Sequence, residues 1–431
     1  MTAGACPQSG GTRPPRFLGC VPSFLPTSRL STNRVARWCR CLNVPDCGDM
    51  TTNTFSGTPQ PVRVTLDSDP AQLLAAIPHL MGFHPAESVV LVGHRPTEPP
   101  VLGWLLRGDL PPEDFEAEQA AEMAARLALS DAFGVTIVVI GGTADAVTVR
   151  QPPHGSLVEA LRTACAGAQL RVLHALWTPE IRADAAWRCY QDADCHGRLP
   201  DPGSSTLAAT MATTGRVTFD SRSDLADLLT PDSAESLARR SALLNTAVDR
   251  FDSDDDGDQW PSPENNGCAC ADCPCEAATD VFERHSVAVG RALLRQRAGS
   301  FEHSDAEVVR LALALSDVRV RDACLALALP PGSSAALTAE SLWIALTRAT
   351  PGPERAEPAA LLGYSAYLRG DGALADIALQ AALRASPEHV LAGLLQRALW
   401  KGVTPEQLQG LGHVDGTVDL WQEGQRCWDV P

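Results

Sequence analysis

Between residues 82 and 88 the chain reads Gly-Phe-His-Pro-Ala-Glu-Ser, placing an imidazole, a carboxylate and a hydroxyl within five positions. Arg107-Gly108-Asp109 adds a guanidinium and a second carboxylate. His84, Glu87, Arg107 and Asp109 are therefore the candidate catalytic residues, because acid–base work in a hydrolase or transferase needs these groups within reach of one substrate. The structural alternative is equally concrete. His84 would cap a preceding helix, and Arg107 with Asp109 would pin a turn as a bidentate pair.

Thiols offer the second chemistry. Cys268-Ala-Cys270-Ala-Asp-Cys273-Pro-Cys275 holds four in eight residues, dense enough to wrap Zn²⁺ or Cu(I). Cys268, Cys270, Cys273 and Cys275 are the candidate metal ligands, and zinc is the one cofactor they suggest. Just upstream, Asp252, Asp254, Asp256 and Gly257 fit the first, third, fifth and sixth positions of a calcium loop. Its twelfth position is Pro263 instead of the closing glutamate, so the segment reads as an acidic solvated linker. Cys189, Cys195 and His196 supply three donors where a closed zinc site needs four. Those two thiols read alternatively as an oxidisable pair or as ordinary buried cysteines.

Much chemistry is excluded. Lys401, between Trp400 and Gly402, is the only lysine, and the other 34 basic residues are arginine. A Walker A loop cannot be built without its lysine, and a Schiff-base enzyme would have to use Lys401. His-Glu-x-x-His and Gly-x-Ser-x-Gly are both absent. Gly370-Asp371-Gly372-Ala373-Leu374-Ala375 resembles a dinucleotide loop but follows a helical pattern, not a strand. Gly141-Gly142 does follow a strand, so its amides either face an anion or form a plain turn. A net charge of −17 and a pI near 5.0 oppose general nucleic-acid binding. The apolar run Val135–Ile140 is far short of the ~18 residues of a membrane span. The expected partner is an unidentified protein or small molecule, with neither nucleic acid nor membrane involved.

The elements that would position these groups follow from periodicity. Val62–Leu66 alternates as a strand. Asp67 or Ser68 then caps a helix with Leu73, Leu74, Ile77 and Leu80 on one face and Gly82 at its end. Ser88–Val92, Val101–Arg107, Gly134–Ile140 and Leu170–Leu176 read as strands, and Glu113–Leu129 and Ser156–Ala166 as helices. Strands separated by helices predict crossover connections and a mostly parallel sheet. Residues 60–230 thus form an α/β domain with flanking helices, ending in short helices at Ser204–Thr213 and Ser223–Leu229. Residues 231–278 hold one helix, Asp232–Asp249, and the acidic, Cys-rich linker. Seven helical segments between Asp280 and Leu399 make 279–411 an all-helical bundle, with a tail over 412–431. Leu362-Gly363, Ala375, Leu379, Ala382 and Pro387 fall at tetratricopeptide (TPR) spacings. With no second copy upstream, the reading is a TPR-like helix pair closing the bundle.

Residues 1–59 stand apart as an extension that is disordered or not made. Within 1–49 there are six arginines, two acids and five of the fourteen cysteines, making this part +4 and the remainder −21. Pro22 and Pro26 interrupt any secretory apolar core. The segment reads as translated upstream DNA with Met50 as the start. Five cysteines remain outside the leader and the linker cluster (Cys165, Cys189, Cys195, Cys324 and Cys427), which suits a reducing cytoplasm.

Several of these blocks carry a likeness. Leu73–Pro85 with Ser88-Val89-Val90, then Arg107-Gly108-Asp109-Leu110-Pro111, Trp187–Cys195 and Gly370–Ala375 resemble the actinobacterial domain-of-unknown-function family 4192, over about residues 60–411. Where that family often shows paired cysteines, this chain has Cys195-His196. The resemblance implies a lineage and a compartment but no activity. The expected function is therefore a non-enzymatic cytoplasmic binding or regulatory protein. An enzyme using His84 and Arg107–Asp109 is the alternative, and metal sensing or buffering through Cys268–Cys275 the lesser one. Mass spectrometry of the natively expressed protein should find its first residue at Met50 or Thr51; a peptide containing Trp38 would overturn that start.

Overall fold

In a computed structural model, residues 69–96, 101–142, 152–205, 207–209, 217–252, 281–299, 301, 304–412 and 419–425 are described. The expected strand at 62–66, the leader, the calcium-like segment beyond Asp252 and the Cys268–Cys275 cluster lie outside them. Asp69, one residue later than expected, caps the first helix α1 (Pro70–Met81) by accepting the Ala71 amide at 2.9 Å. Gly82 ends it in the left-handed region at φ 79°.

Strands β1 (Ser88–Arg95), β2 (Val101–Asp109), β3 (Gly134–Ile140), β4 (Arg171–Thr178), β5 (Ala186–Cys189) and β6 (His196–Arg198) form one sheet in the order β2-β1-β3-β4-β5-β6. Helix α2 (Glu116–Leu127) joins β2 to β3, and α3 (Gly155–Gly167) joins β3 to β4. Only β3 and β4 pair in parallel; β1 runs antiparallel to both neighbours, as do β4–β5 and β5–β6. The expected mostly parallel sheet is thus corrected to a mixed one. Its cause is chain length: five residues separate β1 from β2, too few for the dozen or more that a parallel crossover needs. The two helical connections do make crossovers, one passing over β1 and one joining neighbours.

Alternation along the central strands sends side chains to two cores. Val89, Leu91, Val135, Ile137 and Val139 pack under α2 and α3, against Met123, Leu127, Leu157 and Leu161. Val90, Val92, Val138 and Ile140 face Leu73, Leu74 and Ile77 of α1.

Among the described residues that follow, the named elements are helical: α4 (Arg222–Asp227), α5 (Ala234–Asp252), α6 (Val281–Arg297), α7 (Asp305–Ser316), α8 (Val318–Leu325), α9 (Ser334–Ala349), α10 (Ala356–Leu368), α11 (Gly372–Ala385), α12 (Val390–Trp400), α13 (Pro405–Leu408) and α14 (Leu420–Gln425). Every residue of α10 from Pro358 to Leu368 is buried, so it is the centre of this region. Gly363 lets α11 come close: a Cβ there would lie 2.7 Å from the Leu379 side chain. Buried ion networks tie the periphery. Arg240 of α5 donates to Asp232 at 2.7 Å, to Asp305 of α7 at 2.8 Å and to the Ala349 carbonyl of α9 at 2.8 Å.

Several contacts among the described residues join the sheet layer to the helices. Phe219 bonds both ways with the α1 exit, its amide to the Gly82 carbonyl and its carbonyl to the His84 amide, each at 2.9 Å. The α10–α11 turn brings the Asp371 carboxylate to about van der Waals range of Gly82, and Arg369 bridges Asp371 and Glu340 at 3.4 and 3.1 Å. Burial opposes the Arg369 charge, but Glu340 and Asp371 hold its pKa above the ordinary value. Finally Gly402, at φ +64°, meets the Trp104 ring of β2 so closely that any side chain would overlap it.

His94, 1% exposed, shares a 2.9 Å hydrogen bond with Thr136, and its Nδ1 lacks a partner. Burial, and then His174, lower its pKa to about 4. The unfolded chain takes up this proton near pH 6.5, so between 6.5 and 4 it binds more protons than the fold and stability falls as pH drops. Urea unfolding should show about 2 kcal/mol of His94-dependent loss between pH 7 and pH 5. That loss should be missing in His94→Gln; an equal loss in both proteins would refute it.

Candidate functional site

One end of the sheet gathers the start of β1 with the ends of β2, β3 and β4. Ser88 pairs with Asp109 and with Ile140, and Ile140 with Thr178. Glu87, at φ 43°, accepts the Leu110 amide on its carbonyl at 3.0 Å and the Gly142 amide on its carboxylate at 3.2 Å. Gly141, at φ 140°, has room for nothing more: a Cβ would lie 2.8 Å from that carboxylate. The Gly141 carbonyl accepts from Trp177 Nε1 at 2.9 Å, and its amide donates to the Thr178 carbonyl at 3.1 Å. The Gly142 amide, one of the two read as facing an anion, thus already holds the chain's own carboxylate.

The other candidates are similarly engaged. Arg107 donates from Nε to the Ser88 hydroxyl at 2.9 Å and pairs with the largely exposed Asp109. Ser88 is fully buried and donates to the Ala86 carbonyl at 2.6 Å. His84 is half-buried beyond the Gly82 cap, and its backbone bonds Phe219. Among the described residues no hydrogen bond or ion pair joins His84, Glu87 and Asp109.

Cys189 and Cys195 face each other across the β5–β6 turn, where the Cys189 amide donates to the Cys195 carbonyl at 2.9 Å. Burial first, then the neighbouring Cys189 and Asp192, push the Cys195 thiol up, which weakens it as a nucleophile. His196 Nδ1 lies 3.1 Å from the Ala193 carbonyl, within its own turn. Among the described residues no three metal-binding side chains converge.

A site the sequence reading missed lies in the helical region. A cavity of about 390 Å³ opens between the end of α4, the turn before α10 and one face of α11. Leu229 and Thr230 line it from the turn after α4, Arg355 from the turn before α10, and Ile377, Ala381 and Arg384 from α11. Arg222 of α4 fastens to Asp376 of α11 at 2.7 Å beside it. Arg355 donates to the Leu229 carbonyl at 2.6 Å, and its buried Nε finds no acceptor. Burial, then Arg384, lower the Arg355 pKa. Neither arginine pairs with a carboxylate among the described residues. One signal was available. Ile377, Ala381, Arg384 and Ala385 share a helical face, so a charge interrupts an apolar stripe.

The profile of the family described as Domain of unknown function (DUF4192) matches residues 70–406. No curated protein and no solved structure matches the chain.

Gly141→Ala must move the Glu87 carboxylate and adopt a left-handed φ, so denaturant unfolding should show a loss of about 1–3 kcal/mol. Glu87→Gly removes both the obstruction and the strained side chain. Added to Gly141→Ala, it should recover part of that loss; strict additivity would show that the two positions do not meet.

Proposed function

The chain belongs to the DUF4192 family, and from that premise we propose that it is a non-enzymatic binding or regulatory protein whose ligand is a small molecule seated in the α4–α11 cavity. The observation that carries this reading is the chemistry of the cavity wall. Leu229, Ile377 and Ala381 offer apolar surface and Arg355, Arg384 and Thr230 a few polar groups, the usual composition of a ligand site of this size. Among the described residues no histidine, cysteine or carboxylate lines it, so binding fits it better than acid–base or nucleophilic chemistry. The engagement of Glu87, Arg107 and Ser88 in local bonds supports the same conclusion.

The α10–α11 pair is read as TPR-like, since Gly363 provides the close helix approach that such pairs use. A cytoplasmic protein of actinobacterial type fits the scarcity of lysine and the spread of free thiols.

Ala381→Trp should fill the cavity. Protein purified from its native host, then denatured, should release a bound small molecule detectable by mass spectrometry, and the equally folded Ala381→Trp protein should be depleted of it at least about tenfold. If neither protein carries a ligand, and the wild type instead turns over a substrate in a His84-dependent manner, the enzymatic reading replaces this one.

A further inference from the structure

We propose that the α4–α11 cavity is a phosphate-recognition site, taking a phosphate monoester of a small, partly apolar molecule. The inference rests on the cavity being a binding site and adds the class of ligand. Two arginines, Arg355 and Arg384, line one cavity of about 390 Å³ with no carboxylate in its wall among the described residues. Enclosing a charge beside a like charge without a counter-charge is unfavourable, and that cost falls on Arg355, the less exposed of the two. Arg355 is half-buried, and Arg384 is the neighbouring charge that depresses its pKa. Two other enclosed arginines are neutralised by carboxylates: Arg240 lies between Asp232 and Asp305, and Arg369 between Glu340 and Asp371. Here the compensating charge is missing from the wall, so it fits on a ligand.

The anchoring of Arg355 suits that role. Its bond to the Leu229 carbonyl at 2.6 Å fixes the guanidinium plane against the end of α4, and a fixed fork is what oxyanion recognition uses. Arg384, in the last turn of α11 and exposed, can close on a ligand from the solvent side. A phosphate monoester near neutral pH carries between one and two negative charges, and its dianion balances both arginines where a carboxylate would balance one. The cavity also exceeds what a bare phosphate fills, and Ile377, Leu229 and Ala381 supply apolar wall for the esterified group.

Calorimetric titration of the full chain with phenyl phosphate, inorganic phosphate and phenol tests this. Phenyl phosphate should bind at least about tenfold more tightly than inorganic phosphate, and phenol should not bind measurably. Arg384→Glu should weaken phenyl phosphate at least about tenfold without changing the unfolding midpoint by more than a surface substitution does. Arg384→Lys should retain part of the affinity, and Arg397→Glu on α12 should bind as the wild type. Raised salt should weaken binding. Absence of phosphate and phenyl phosphate binding up to about 10 mM, or wild-type affinity in Arg384→Glu, would overturn the proposal. If phenol binds as well as phenyl phosphate and Ala381→Trp abolishes both, the cavity still binds ligands and only the phosphate assignment falls.

Discussion

The helical region depends on α10 being enclosed on every side. A helix apolar all round finds no place on a surface, so α8, α9, α11 and α12 arrange themselves around it. Enclosure demands close approach, which explains why small residues, Ala359, Ala360, Gly363 and Ala366, recur along α10. The two α10 tyrosines then spend their hydroxyls on backbone: Tyr364 donates to the Leu408 carbonyl at 3.1 Å and Tyr367 to that of Val403 at 2.7 Å. Those bonds draw the chain after α12 over the central helix, and the same fold-back sets Gly402 against Trp104. Packing around one helix thereby fixes where the bundle meets the sheet.

Much of this was legible in the residues. Gly134–Ile140 is a strand with the bounds that its apolar run and the Gly141-Gly142 stop indicate, and the helix around Ala378 follows its apolar stripe. Strand direction was less legible because periodicity carries none; the short β1–β2 link was the clue, and loop length outweighs alternation there. Strands β5 and β6 are four and three residues long, too short for any pattern, and exist because β4 offers an edge to pair with.

The candidate catalytic residues show why residue type is a weaker guide than partner. Glu87 holds a glycine turn and Arg107 holds Ser88, tasks that a carboxylate and a guanidinium perform as readily as catalysis. Conversely, Arg355 and Arg384 are 29 positions apart and form a pair only through the α10–α11 hairpin. The linear order announces Arg384 alone, as a charge in an apolar stripe, and not its pairing with Arg355.

The Gly402–Trp104 contact acquires another meaning beside the composition. Lys401, exposed and adjacent to Gly402, carries the chain's only ε-amine. An amine-directed fluorophore coupled there would sit beside the indole of Trp104, at the seam between sheet and bundle. Quenching between dye and indole would then report the opening of that seam, with the α-amine as the other coupling site, so the scarcity of lysine leaves one side-chain handle for watching the two halves separate.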